Sequence, residues 1–339
     1  MDVWRFAICT YYFVVGIITT IFDGAIVLAI LSSKGLRDRK EMLMIAAQCV
    51  ADTIASFGGI PFYFKYLQLM LKNSLWAPVR PWDCMQQLHN FFYIVGAQAC
   101  ALINVVLGID RIMAVCFLPF YLKMKRKYTI LMILSAFGVA MLSYAIGGII
   151  SYNIGNEYSV FALCYSTWAS SAQYAFFFTM FTCVGESFGV LVYGYVIIAL
   201  HFRYKSTENK SVQSVQQKRQ AQMTRTMAWT VTCTVIFYVI PYLFQAVASA
   251  AHIIFSSPYV GDVTWILINS NNMMNGLIYF CKIGEVRSQL KALLGHNVNE
   301  PSSVANSQHP LANGLKEYSK LDSATGKVFQ SRTGASQQF

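Results

Sequence analysis

The chain has 339 residues, of which 56% are hydrophobic, 15% aromatic and only 12% charged. A soluble domain is about 25% charged, and disorder needs low hydrophobicity with high charge; both classes are excluded for most of the chain. Nine scattered cysteines in a chain of this size exclude a small disulfide-rich module, which leaves a polytopic membrane protein.

Runs without Asp, Glu, Lys or Arg follow one another: Met42 to Phe64, broken only by Asp52, then Met85 to Ile109, Thr129 to Asn156, Tyr158 to Gly185 and Thr226 to Gly261. About 20 apolar residues carry a helix across roughly 30 Å of hydrocarbon. Seven helices are predicted, near Phe6–Ser33, Met42–Leu71, Met85–Phe117, Thr129–Ser151, Gln173–Phe202, Thr226–Ile254 and Val263–Cys281. Val160 to Trp168 is read as a loop folded over the bundle. The runs lack the alternation of a membrane barrel. The start, Met1-Asp2-Val3-Trp4-Arg5, lacks the basic region and cleavage site of a secretory signal, so the first helix is expected to stay and serve as its own insertion signal.

The loops after helices one, three and five carry Lys34, Arg37, Arg39 and Lys40, then Lys123, Lys125, Arg126 and Lys127, then Arg203, Lys205, Lys210, Lys218, Arg219 and Arg225. The opposite side holds only Arg5, Lys72 and Arg80, with Lys65 and Arg111 near helix ends. Positive loops stay cytoplasmic, so the amino terminus is expected outside and the carboxyl terminus inside. The net charge of +11 then faces anionic inner-leaflet lipid and no nucleic-acid partner is implied. Lys282 to Gly295 is amphipathic and reads as a short eighth helix on the inner leaflet; Cys281 beside it is a candidate palmitoylation site. Residues 1–295 are expected to form the membrane domain and 296–339, rich in Ser, Asn, Gln and Gly, a disordered cytoplasmic tail. Ser206 to Gln222 is polar and Gln-rich, and reads as an extension of helices five and six.

Ionisable residues inside a membrane are costly and are functional candidates. Asp110 and Arg111 close helix three at its inner end. Either the Arg is a topogenic anchor that snorkels, or the pair is a switch, the acid holding a guanidinium that on release reaches a partner's helix end. Asn271, Asn275 and Tyr279 recur at helical spacing on one face of helix seven, and Asp52, midway along helix two, is their expected partner. That constellation is either a cation or proton site or a structural hydrogen-bond network. Pro241 in helix six and Pro61 with Gly58-Gly59 in helix two are expected kinks, as hinges or as static shape. Cys84 and Cys164 are the cysteines placed on the outer side, where an oxidising exterior favours a bridge.

Together these residues resemble the rhodopsin-like (class A) G-protein-coupled receptors, and most of all the nematode serpentine chemoreceptors of class sx, from about Ile17 to Leu294. Gly108-Ile109-Asp110-Arg111-Ile112 with Phe120-Tyr121 matches the Asp-Arg motif and its following loop. Asn275-Gly276-Leu277-Ile278-Tyr279 matches the Asn-Pro-x-x-Tyr motif with Gly for Pro. Asp52 matches the acid of helix two and Pro241 the proline of helix six. The resemblance implies that Arg111 engages a heterotrimeric G protein, that Asn275 and Tyr279 rearrange on activation, and that the outer half of the bundle binds ligand. The chain departs from the family pattern at several positions. Asp23 stands in place of an Asn in helix one, Ile112 replaces an aromatic, Val239 occupies the place of the helix-six Trp, and helix five has no proline, with Tyr195 taken as its family tyrosine. Cys84 lies two residues further from Arg111 than the family cysteine. No acid follows the third inner loop to lock Arg111, as Ala221 and Arg225 stand there, and appreciable basal activity is expected.

Enzyme chemistry is not implied: His89, His201, His252, His296 and His309 are dispersed, with no metal-ligand spacing and no phosphate loop or nucleophile motif. No cofactor is expected. A transporter or ligand-gated channel is the competing class; paired broken halves are not visible. The expected function is a chemosensory receptor at the plasma membrane, in sensory cilia if chemosensory, for a small molecule or peptide. His89, Tyr174, Phe178 and Glu186 are candidate ligand residues by position, each equally readable as structural, and Lys65 either meets an anionic ligand or snorkels.

Overall fold

The computed structural model describes residues 3–154, 160–164, 172–207, 215–244 and 258–295. It divides into two units, Met1–Leu293 and Leu294–Phe339; of the second, only the turn residues Leu294 and Gly295 are described. In chain order the elements are α1 (Val3–Ser32), α2 (Lys34–Arg37), α3 (Lys40–Phe57), α4 (Gly59–Leu71), β1 (Pro78–Val79), α5 (Pro81–Met85), α6 (Leu88–Cys116), α7 (Leu118–Lys123), α8 (Arg126–Asn153), β2 (Val160–Phe161), α9 (Ala172–Thr207), α10 (Val215–Thr234), α11 (Pro258–Lys282) and α12 (Gly284–Leu293). Beyond α10 the chain makes a π turn, Val235–Val239, and stays helical to Phe244.

Among the described residues, six stretches are long and apolar enough to cross a membrane: α1, α3 with α4, α6, α8, most of α9, and the stretch from Arg225 through the π turn to Phe244. α11 has the length of a span, 25 residues, but Asn269, Ser270, Asn271, Asn272 and Asn275 make it more polar. Leu131, Leu134, Leu142 and Ile149 on α8, and Phe176, Val184, Leu191 and Ile198 on α9, are exposed. Apolar side chains coating a bundle in this way suit a hydrocarbon solvent.

Several predicted boundaries are corrected. The second span, expected over Met42–Leu71 with a kink at Gly58-Gly59 and Pro61, starts at Lys40 and breaks at Gly58 into two helices, α3 and α4. A Cβ on Gly59 would lie 2.7 Å from the Tyr12 carbonyl, and one on Gly58 3.0 Å from that of His89. The two glycines thus let α1 and α6 press onto the break. Pro61 falls in the first turn of α4, where its missing N–H would be unpaired anyway. The third span begins at Leu88 rather than Met85, because Pro81 opens a separate one-turn helix, α5. The exposed Arg80 binds Asp83 there at 3.0 Å and holds its carboxyl below the usual range. In helix six, a π turn directly precedes Pro241; it accommodates the hydrogen bond that proline cannot make. The predicted end of that helix, residues 245–254, lies outside the described residues, as do 208–214 in the third inner loop, 165–168 of the folded-over loop and the tail, 296–339.

The loop after α8 does lie over the bundle as far as it is described. β2 pairs antiparallel with β1, Pro78 opposite Phe161 and Val79 opposite Val160, and Leu163 is buried against α1 and α4. A disulfide joins Cys84 to Cys164.

Small residues set the helix spacing. A Cβ on Gly96 of α6 would sit 2.3 Å from the Ala55 backbone nitrogen of α3, one on Gly108 2.8 Å from Val192, and one on Gly185 3.1 Å from Ala101. Lipid supplies no hydrophobic drive between helices, so such close approaches carry the packing. α6 is thereby held against both α3 and α9.

Candidate functional site

At the end of α6 opposite the disulfide, Arg111 and Asp110 are 2% and 7% exposed. The guanidinium Nη2 forms an ion pair with Asp110, and Nε donates to the same oxygen at 3.1 Å. The Tyr121 hydroxyl, on α7, lies 3.5 Å from both Arg111 Nη2 and Asp110 Oδ2. Lys40 in turn donates to the Tyr121 carbonyl at 2.7 Å and sits 4.1 Å over its ring. Burial pushes the Tyr121 phenol well up, Arg111 opposing and Asp110 reinforcing the shift, so it stays protonated and available as a donor. Arg39, the residue before Lys40, bridges to Glu285 of α12. Cys281, the candidate lipidation residue, is exposed.

Midway along the bundle, Asp52 receives hydrogen bonds from Gln48 at 3.0 Å, from the Cys100 thiol at 3.1 Å and from Asn275 at 3.2 Å. Asn271, expected as a further partner, is buried but makes no bond to Asp52, and its Oδ1 has no partner. Asn272, not singled out from the sequence, donates to Ser56 at 3.2 Å. Tyr279 is fully buried and lines a water-sized cavity of about 10 Å³ with Asn104, Glu186, Tyr193, Thr230 and Asn275.

Toward the disulfide end lies a cavity of about 60 Å³, lined by Tyr12, Ala55, Gly58, Gly59, Phe62, His89, Asn90, Tyr93, Trp265 and Asn269. His89 Nε2 lies 3.0 Å from the Cys164 carbonyl. The Tyr93 and Trp265 rings are 4.0 Å apart. Of the four residues predicted for ligand, His89 alone lines this space. Tyr174 faces α8 instead: its hydroxyl donates to the Ser143 carbonyl at 3.0 Å, and its ring occupies the room left by Gly147. Phe178 packs behind Tyr93, ring centroids 6.0 Å apart. Glu186 lies in the lower cavity, accepting from Asn104 at 2.7 Å. One face of α9 serves both levels, and a residue's position along a span does not reveal which neighbour it meets.

A closed acid–guanidinium pair at one end, an aromatic cavity under a disulfide-anchored loop at the other, and buried polar side chains between them are the geometry on which the comparison rests. The family model of the serpentine type 7TM GPCR chemoreceptor Srsx matches residues 13–293. The chain belongs to this family. No curated protein matches it. As an Srsx protein it is a multi-pass membrane protein of a chemoreceptor family, not of an enzyme family.

On α9 of this Srsx chain Tyr195 is 54% exposed, whereas Tyr193 is 2% exposed and donates to the Met227 sulfur at 3.2 Å. And Asp23 and Gly276 explain one another. Asp23 is fully buried beside the Cys49 thiol, and a Cβ on Gly276 would lie 2.2 Å from its Oδ1. The carboxylate fills the volume that any side chain at 276 would need. Gly276→Ala is expected to cost about 1–3 kcal/mol of stability. Asp23→Ala in the same chain should recover it, whereas Asp23→Asn, equally long, should not. Thermal unfolding of the three purified variants measures this; equal stability of Gly276→Ala and the parent would refute the pairing.

Proposed function

We propose that this Srsx chain is a chemosensory receptor of the plasma membrane, amino terminus outside, that converts binding of an extracellular ligand into activation of a heterotrimeric G protein. The observation that carries the reading is the pairing of opposite ends: a cavity lined by His89, Tyr93 and Trp265, and a buried Asp110–Arg111 pair. The Asp52–Asn275 bond and the buried Tyr279 lie between them. Ligand in the cavity shifts a two-state bundle; the inner end opens, Arg111 leaves Asp110, and the guanidinium meets the partner's helix end. The central network of Asp52 and Asn275, with Asn271 nearby, holds the two states apart, with or without a cation. α12, carrying Arg287 and Lys291 on its polar side, lies on the inner leaflet as an eighth helix.

The test is a panel of small molecules and peptides on cells expressing the chain with a promiscuous G protein, combined with an epitope at the amino terminus. Signalling with the epitope stained on intact cells is expected. An epitope reached only after permeabilisation would invert the topology and end the reading.

A further inference from the structure

The middle of the bundle holds an excess of acid. Asp23, Asp52 and Glu186 are 0%, 1% and 2% exposed, and Asp52 lies within electrostatic range of the other two. The buried basic side chains among the described residues are Arg111, paired with Asp110, and His89, bound to the Cys164 carbonyl at the disulfide end. Three neighbouring carboxylates without a cation cannot all ionise. Like charges oppose one another, and a buried charge without a partner takes up a proton instead. Asp52 is best served as an anion, with donors from Gln48, Cys100 and Asn275. Glu186 has one donor among the described residues, Asn104, at 2.7 Å from Oε2.

The groups that face Glu186 bring no positive charge. They are Asn104 and Cys100 on α6, Asp52 on α3, Tyr238 in the π turn and Tyr279 on α11, with Cys183 and Tyr193 on α9 itself. From α10 come Thr230 and Thr234, whose hydroxyls donate to the carbonyls of Met227 and Thr230. A metal ion is poorly served. A hard cation takes about six oxygens, but Leu107, Val190 and Val231 share the wall of the cavity beside Glu186. The Tyr193 hydroxyl there is turned to the Met227 sulfur and the Asn275 nitrogen to Asp52. At about 10 Å³ the cavity takes one water and leaves no room for a hydrated ion. A proton needs no room at all.

We infer that Glu186 is a proton-binding site: its carboxyl is neutral in the closed bundle and gives its proton to water when Tyr279 moves and the cavity opens. Intramembrane acids serve as proton sites in this way. The consequence for signalling rests on the receptor reading; the proton itself does not. Protons then favour the closed state, so acidifying the cell interior lowers agonist-free output, by at most about tenfold per pH unit, the limit for one proton.

The first test is infrared spectroscopy of the purified full-length chain in nanodiscs, without G protein. At pH 7 an ordinary glutamate is ionised, so a neutral-carboxyl carbonyl stretch that disappears in Glu186→Gln is expected. Asp23→Asn should leave that band in place, and exchanging sodium for N-methylglucamine should not change it. Asn104→Leu, which removes the donor to Oε2, should move the band to higher frequency, and decides the matter if Glu186→Gln does not fold. No band lost in Glu186→Gln, a band lost in Asp23→Asn, one that depends on sodium, or one unmoved in Asn104→Leu overturns the inference. In cells, Glu186→Gln should show lower agonist-free output than the parent and no response to acidification beyond that of mock-transfected cells. Equal pH responses of parent and variant would overturn the link to opening. A neutral Glu186 in a chain that couples to no G protein would overturn the receptor reading alone, and coupling without the band would overturn the proton site alone.

Discussion

Gly96→Ala is expected to remove most of the folded protein from the cell surface. The added methyl would lie 2.3 Å from the Ala55 nitrogen, 2.5 Å from its Cα and 2.7 Å from its Cβ. Ordinary carbon contacts are about 3.5–4 Å, so α6 and α3 would have to part by about 1 Å. The obstacles are backbone atoms inside a helix, which no rotamer change can clear. Overpacking a core costs about 1–3 kcal/mol when side chains can yield, and this contact is at or above the upper end. The loss would spread, because Ala55 and Gly58 also line the cavity and His89 and Asn90 lie on the same helix as Gly96. Gly138→Ala is the matched control: a Cβ there meets nothing within 4 Å, so alanine should be neutral or slightly stabilising through its helix propensity. Surface yield and melting temperature of the two variants measure the difference. A Gly96→Ala protein as stable as Gly138→Ala would mean that α3 and α6 are further apart than described.

The second large effect is functional. Arg111→Ala should reduce agonist-driven nucleotide exchange to the level of mock-transfected cells while the protein still reaches the surface. Delivery survives because Asp110 keeps the Tyr121 hydroxyl at 3.5 Å and the field of Lys40. Arg111→Lys should recover only part of the coupling, since an ammonium lacks the planar fork of a guanidinium. Asp110→Asn works in the opposite direction: it removes the charge that holds Arg111 and should raise agonist-free output above the parent. The parent itself should signal above mock-transfected cells without agonist, since Arg225, beyond the third inner loop, is no acid. Full coupling by Arg111→Ala would take the guanidinium out of the mechanism. Unchanged agonist-free output in Asp110→Asn would mean that the acid does not restrain it.

The long features were legible because they are written in consecutive residues. Charge-free runs give spans, and the Asp110–Arg111 neighbours give a pair wherever the helix goes. What was missed depends on who faces whom. The kink expected at Gly58, Gly59 and Pro61 is where helix two breaks, but that the Tyr12 and His89 backbones, in α1 and α6, press against it is not written in the sequence. Tyr193 and Tyr195 are two residues apart, on opposite sides of α9; only the close packing of Val192 against Gly108 decides that Tyr193 turns inward. Glu186 reads as a ligand residue by type, yet Asn104 on α6 claims it at mid-bundle. Asn90 and Asn269, whose donors are taken up by carbonyls, carry no pattern that a single sequence exposes. Asn271 had the right spacing for Asp52, and its neighbour Asn275 took the bond.

The interlock of Asp23 with Gly276 also constrains ancestry. Position 276 is constrained in one direction only: residue 23 can shorten while glycine stays at 276, but any side chain at 276 meets Asp23 Oδ1 first. A substitution path that enlarges 276 before shortening 23 therefore passes through a less stable chain, and the opposite order avoids it.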